Sequence, residues 1–336
     1  MTVIFAVLLF CILIFIHEFG HFSAAKLCDI KVNQFAVGMG PAIFKRQKGE
    51  TEYSLRAIPI GGFCAMEGED EETDDPRGFN NKPALQKAIV VAAGPFMNFI
   101  LALIIMIVIV FTVGTAVNRV GGFVDGNHSE AAGMKTGDEI VEIEGTAISD
   151  WEDIGPVIAE NKGDTLNVTV KRDGETIKLE VPLMESEGRK MIGITPALER
   201  NMGTAVIEGT KSTFTLTKQM YVILKQIFTG EVSASELSGP VGIVYVVNQS
   251  ISQGMIYFFY LLAMLSLNLA VINLLPFPAL DGGRLLFIVI RKITGKAVSD
   301  EVEGRINLIG LMLLFALMIY VTGNDIIKFV LPALGK

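Results

Sequence analysis

His17-Glu18-Phe19-Gly20-His21 lies inside an apolar run that begins at Val3 and continues to Leu27. No other stretch limits the possible folds as strongly. If the run is helical, His17 and His21 are four residues apart, project from one face and can share a metal ion. Glu18 lies about 100° further around the helix, close enough to act on a water at the metal without being a ligand. The run is also long enough to cross a bilayer core of roughly 30 Å. Histidines and a glutamate inside such a segment are costly unless they have a task. With three histidines in the chain, chance would produce this pattern on the order of one or two times in a thousand such sequences. The stretch lacks the positive n-region and small-residue cleavage site of a signal peptide, so it is read as a retained transmembrane helix. The chemistry it points to is hydrolysis within a membrane.

The composition agrees. Of 336 residues 51% are hydrophobic and 19% charged, below the roughly 25% charged residues of ordinary globular proteins. The net charge of −8, with no basic stripe to offset it, argues against nucleic acid as a partner. Cys11, Cys28 and Cys64 are too few and too clustered for a disulfide framework.

Along the chain, residues 1–117 form an N-terminal membrane part: the H-E-x-x-H helix, a β-type run at Tyr53–Phe63, and a second span from Ala88 to Val117. The β-run ends in Gly61-Gly62, and Gly38-Met39-Gly40-Pro41 is a breaker cluster ahead of it. It reads equally as a plain surface hairpin or as a re-entrant one whose edge takes an extended peptide. Ala92-Ala93-Gly94-Pro95 opens the second span with residues small enough for close helix packing, and Asn98 follows one turn later. An amide there is either glue between helices or a substrate contact, and its spacing favours glue.

Residues 118–197 alternate strands with glycine turns, and Asp173-Gly174 sits between two alternating runs as a hairpin signal. This region resembles a bacterial PDZ domain, with a helix near 150–160 and a last strand at Gly188–Ile194. The resemblance implies a groove that takes peptide ends. His128 falls in a polar turn here and reads as a surface histidine. Residues 198–250 hold an amphipathic helix marked by Lys211, Lys218 and Lys225, lying on the membrane or on the soluble domain, and then a breaker-rich turn, Ser238-Gly239-Pro240-Val241-Gly242-Ile243. Residues 251–336 hold a third span, Met255 to about Leu275, and a fourth, Ile306 to Val321, separated by Asn273-Leu274-Leu275-Pro276-Phe277-Pro278-Ala279-Leu280-Asp281-Gly282-Gly283-Arg284.

A catalytic zinc takes three protein ligands and keeps one position open. Asp281 fits the third place, because it follows a helix break at the depth of His21; Cys28, Glu67 and Glu69 are the alternatives. Basic residues set the orientation. Nine lie from Lys26 to Lys87, at and after the end of the first span, and Arg284, Arg291, Lys292, Lys296 and Arg305 follow the third. Both loops then face the cytoplasm and the PDZ-like region lies outside.

H-E-F-G-H, A-G-P-x-x-N, one PDZ-like insert, S-G-P-V-G-I and N-x-L-P-x-P-x-L-D-G-G, in that order, resemble the site-2 proteases. Within them the arrangement is similar to the RseP-like bacterial regulators of sigma-factor signalling. The resemblance covers nearly the whole chain. It implies a polytopic α-helical membrane protein with four transmembrane helices, a re-entrant β-hairpin and an inserted extracytoplasmic PDZ-like α+β domain. It further implies that His17, His21 and Asp281 bind zinc, that Glu18 is the general base, and that Asn98 and Asn273 contact substrate. The hairpin around Gly61 and Gly62 would then pair with substrate as a strand. The expected activity is intramembrane cleavage of single-pass membrane proteins, such as pre-cleaved anti-sigma factors or remnant signal peptides, in the bacterial inner membrane, by Glu-assisted attack of zinc-bound water. Two other readings remain: a non-catalytic peptide-binding scaffold working through the PDZ-like domain, and a metal transporter. The first has no use for Glu18 or Asp281. The second calls for further carboxylates or histidines along the second and fourth spans, whose apolar runs contain none.

Overall fold

The computed structural model describes residues 1–69, 71, 73–186, 188–233, 238–295 and 300–334. Lys296, counted in the orientation argument, lies outside the described residues. The chain divides into two compact units, Met1–Met106 with Thr210–Lys336, and Ile107–Gly209.

The first unit is built on helices. α1 (Thr2–Leu27), α2 (Ala84–Val113), α6 (Met255–Asn273) and the run Val302–Val330, most of which belongs to α8 (Asp300–Asp325), are long and apolar enough to cross a membrane. Their outer faces leave Ile4, Ile104, Leu308 and Ile319 exposed, as a lipid-facing surface requires. The second span ends four residues earlier than the sequence suggests. Gly114 takes a left-handed φ of 91° and stops the helix, and Thr115 starts a strand.

α1 and α2 meet at glycines. A methyl group on Gly20 would collide with the Ala93 carbonyl, and one on Gly94 would overlap the rings of His21 and His17. Such small-residue contacts let two membrane helices approach at backbone distance.

The segment between α1 and α2 is larger than a single hairpin. β1 (Val32–Lys48) and β2 (Thr51–Met66) are both bent, and the Gly38–Pro41 cluster lies inside β1. Residues 34–37 pair on two sides: with 62–65 in falling register (Ala36↔Phe63, Val37↔Gly62) and with 52–55 in rising register (Gln34↔Glu52, Val37↔Leu55). Residues 42–48 then pair with 51–56. Two bent strands thus give four limbs, and among the described residues limb 62–66 is paired on one side only. At the tip, Arg77 grips Glu50 with two bonds of 2.8 and 2.7 Å, and Lys26 at the end of α1 adds a third at 2.7 Å. These contacts hold the Glu50 carboxyl down to about 2.

The sequence shows no regular element at Ser238–Ile243, yet α5 (Pro240–Gln253) starts there with proline in its first turn. The explanation is tertiary. The buried side chain of Asp325 accepts the N–H groups of Gly239 and Gly242 at 2.9 and 2.8 Å, capping α5 from the end of α8. Between α6 and α8, α7 (Asp281–Thr294) begins at Asp281.

The second unit carries a mixed core of Val120, Ile140, Ile143, Leu166, Val168 and Val170, with Trp151 packed against it. Its main sheet runs β10-β3-β4-β6-β7, formed by β3 (Thr115–Phe123), β4 (Glu139–Ile143), β6 (Thr165–Arg172), β7 (Glu175–Pro182) and β10 (Ile194–Glu199), with β5 (Thr146–Ala147) on β4. Asp173 and Gly174 both take positive φ and turn β6 into β7, as their sequence demands. α3 (Ile154–Glu160) follows a single 3₁₀ turn at Trp151–Asp153. The last strand differs from expectation: β9 (Arg189–Met191) pairs locally with β8 (Met184–Ser186), and β10 completes the sheet. His128 is exposed. In α4 (Met202–Thr229), Gly209 abuts Ile107 and Phe214 lies 5.5 Å from Phe99, both residues of α2.

Two outcomes follow. Replacing Asp325 with alanine orphans two buried N–H donors and should cost about 1–3 kcal/mol, read as a lower thermal midpoint in detergent; Asp325→Asn should lose less. In the second unit, burial pushes the Asp138 carboxyl up, but bonds from Arg172 at 2.7 and 2.8 Å and from the Lys135 N–H outweigh this and hold it below the usual range. Its stabilisation is therefore complete above about pH 4 and is lost as pH falls through the lowered native value. Acid unfolding followed by the fluorescence of Trp151, the single tryptophan, should show this dependence, and Asp138→Asn should flatten it.

Candidate metal centre

α1 runs against α2 so that residues four apart on one helix meet residues four apart on the other. His21 Nδ1 lies 2.9 Å from the Val90 carbonyl, Gly94 leaves room for both rings, and His17 Nδ1 lies 3.3 Å from Asn98 Nδ2. The carbonyl at Val90 can only accept, so His21 carries its proton on Nδ1 and presents a bare Nε2. Asp281 reaches the same point from the first turn of α7. Its Oδ2 stands 3.2 Å from His17 Nε2 and 3.5 Å from His21 Nε2, and the two Nε2 atoms are 3.2 Å apart.

These separations match those of ligand atoms around a single ion. Tetrahedral zinc with bonds of about 2.0–2.2 Å holds its ligand atoms about 3.3–3.5 Å apart. Asp281 Oδ2 is buried without a hydrogen-bond partner, so an acceptor faces two imidazole nitrogens that a cation would join. The donor set of two imidazoles and one carboxylate therefore fits zinc. Among the described residues, His17, His21 and Asp281 form the one group of three such side chains whose ligand atoms lie within 4.8 Å of one another.

A cavity of about 400 Å³ opens on this group, lined by Glu18, Phe63, Cys64, Met66, Glu69, Val91 and Arg284 as well as the three donors. Glu18 thus shares the space with the metal ligands without belonging to them. The sequence-expected residues divide. Gly62 lies against Glu18: a methyl group there would come within 3.3 Å of the Glu18 Cγ and 2.9 Å of the Ala36 carbonyl. Gly61 instead faces Met39. Asn98 is fully buried and turned to His17 rather than to the cavity. Asn273 closes α6, half-buried, and does not line the cavity. The alternative third ligands are occupied elsewhere or distant from the group: Glu67 binds Lys31, Asn33 and Thr73, Glu69 pairs with Arg284, and Cys28 caps α1.

Arg284 and Gly94 are the site residues that sequence reading undervalued. Arg284 had a signal, since it stands three residues after Asp281 and so on the same helix face. Gly94 carries only a packing signal in the sequence; its closeness to the imidazoles depends on the partner helix.

Comparison with known proteins bears on this geometry. The family model Peptidase family M50 matches residues 5–317. A Clostridium acetobutylicum protein named as a zinc metalloprotease is 41% identical over 332 residues, covering 97% of each chain. The regulator of sigma-W protease RasP of Bacillus subtilis is 32% identical over 414 residues, covering 97% of this chain and 98% of its own. Among solved structures, the PDZ domain of an SdrC-like protein from Listeria monocytogenes is 25% identical and covers 25% of this chain and 87% of that one, with a TM-score of 0.21. With four membrane-length helices, and with a family model and relatives that match nearly the whole length, the chain belongs to peptidase family M50, the site-2 proteases, and is a multi-pass membrane zinc metalloprotease.

Proposed function

We propose that this protease cleaves the transmembrane segments of single-pass membrane proteins, with His17, His21 and Asp281 holding zinc and Glu18 as general base. The observation that carries the reading is the convergence of the three donor atoms within 3.5 Å beside the cavity that Glu18 lines. When bound there, zinc polarises a peptide carbonyl and brings the pKa of a water toward neutrality. Glu18 takes a proton from the attacking water as its oxygen adds to the carbonyl carbon. The carboxyl then returns that proton to the amide nitrogen as the C–N bond breaks. Gly62 leaves the Glu18 side chain room against β2.

A helical substrate hides its carbonyls in internal hydrogen bonds and has to be extended first. Limb 62–66 contributes Phe63, Cys64, Ala65 and Met66 to the cavity wall and is paired on one side only among the described residues. An extended peptide added to that limb would recover its lost backbone bonds beside the zinc donors. The charge distribution favours a cytoplasmic position for the hairpin loop and for α7, in a bacterial inner membrane, with the PDZ-like unit outside. Anti-sigma factors and remnant signal peptides are the substrate classes this arrangement suits, and the name of the Bacillus subtilis relative fits the first.

Glu18→Gln should retain zinc and lose cleavage of a single-pass reporter by at least about 100-fold; full cleavage by that variant would sink the mechanism. Gly94→Ala should fail earlier, because its methyl group displaces both imidazoles. Purified Gly94→Ala protein should hold less zinc than wild type as well as cleave less, and normal zinc content would contradict the packing argument.

A further inference from the structure

Asn98 stands out because its task in the fold is unaccounted for. It is fully buried in α2, its Oδ1 has no hydrogen-bond partner, and its Nδ2 lies 3.3 Å from His17 Nδ1. It is not among the residues that line the cavity. Its backbone carbonyl is already held by the Ser266 hydroxyl at 2.7 Å, which leaves the amide as the only part of the residue whose purpose is open.

Val90, Gly94 and Asn98 recur every four residues and form one stripe on α2. At one end the Val90 carbonyl accepts the Nδ1 proton of His21. At the other end His17 has no backbone carbonyl in that role; it has Asn98. An imidazole that binds a metal through Nε2 carries its proton on Nδ1, and that proton needs an acceptor when it is buried. A side-chain amide has an acceptor and a donor of the same shape, exchanged by a half-turn of the end group. Either end can therefore stand at the same place.

We propose that Asn98 is a positioning residue for the zinc site, whose amide oxygen accepts the Nδ1 proton of His17 and so presents Nε2 as a ligand. This rests on the reading of His17 as a zinc ligand. It moves Asn98 from contact with substrate to control of the metal. The two histidines are then held by unlike partners: His21 by a backbone carbonyl that can only accept, and His17 by an amide that serves either tautomer. The asymmetry makes His17 the adjustable ligand of the pair.

The test compares Asn98→Leu, similar in size but without a hydrogen bond, with Asn98→Asp, which keeps an acceptor. The full-length proteins are equilibrated in detergent against buffers of set free zinc, and bound zinc is measured by elemental analysis. His21→Ala serves as the control for the site itself. Asn98→Leu should bind zinc about 10–100-fold more weakly, and Asn98→Asp should bind it at least as tightly as wild type. At saturating zinc, Asn98→Leu should recover its KM for a single-pass reporter. Equal zinc affinity in Asn98→Leu and wild type, with a raised KM, would overturn the proposal in favour of a substrate contact. Equal losses in both variants would also overturn it, because a general packing defect ignores the acceptor. If His21→Ala binds zinc like wild type, the ligand reading fails instead, and the result is distinguishable from either of these.

Discussion

The close approach of α1 and α2 at Gly20 and Gly94 is the constraint on which the site depends. A side chain at either position would hold the helices apart by about the width of a methyl group. At the larger separation His21 would lose the Val90 carbonyl and His17 would lose Asn98, so neither imidazole would be held in its orientation. Membrane helices have no hydrophobic drive toward one another, and small residues are how they gain contact. In this chain Gly94 also makes room for the two imidazoles. Packing and chemistry therefore share that position.

Asp281 is brought in by different means. Its helix, α7, starts after a non-helical stretch from Leu274 to Leu280. The third donor thus arrives on a separate element, at a helix N-terminus where a carboxylate is favoured. The rigid pair of histidines is supplied by one helix and braced by a second, and the carboxylate closes the set from a third. The short sheet contributes the opposite wall of the cavity, where Gly62 lies against Glu18 and the limb that follows it lies beside the donors.

Several features of the fold were legible because each is a local rule. The four long apolar helices follow from hydropathy, the β6–β7 turn from Asp173-Gly174, and the pairing of His17 with His21 from helical spacing. The family motifs single out Asp281, 260 residues beyond His21, and the fold brings its carboxylate to the two imidazoles. The features that were not legible involve partners distant in sequence. Helix α5 was hidden because its cap is Asp325, 83 to 86 residues away. The bent sheet was hidden because Gln34–Val37 takes partners on both sides, a pattern that no run of residues announces. The final strand of the second unit was misplaced because β9 pairs with β8 and not with the main sheet, which β10 completes.

By itself the sequence determined that the protein lies in a membrane and that two histidines and a glutamate share one helix, and it pointed to a distant carboxylate as the candidate to complete the set. Those conclusions rest on periodicity, on the cost of burying polar groups in lipid and on ligand number, all of which are properties of residue order. Only the tertiary structure decided what each remaining polar group faces. Asn98 faces an imidazole and not the cavity, Glu69 faces Arg284 and not the donor set, and Gly62 yields its space to Glu18. Residue type sets which bonds a side chain can make; its neighbours in space, which sequence spacing does not encode, select the one it makes.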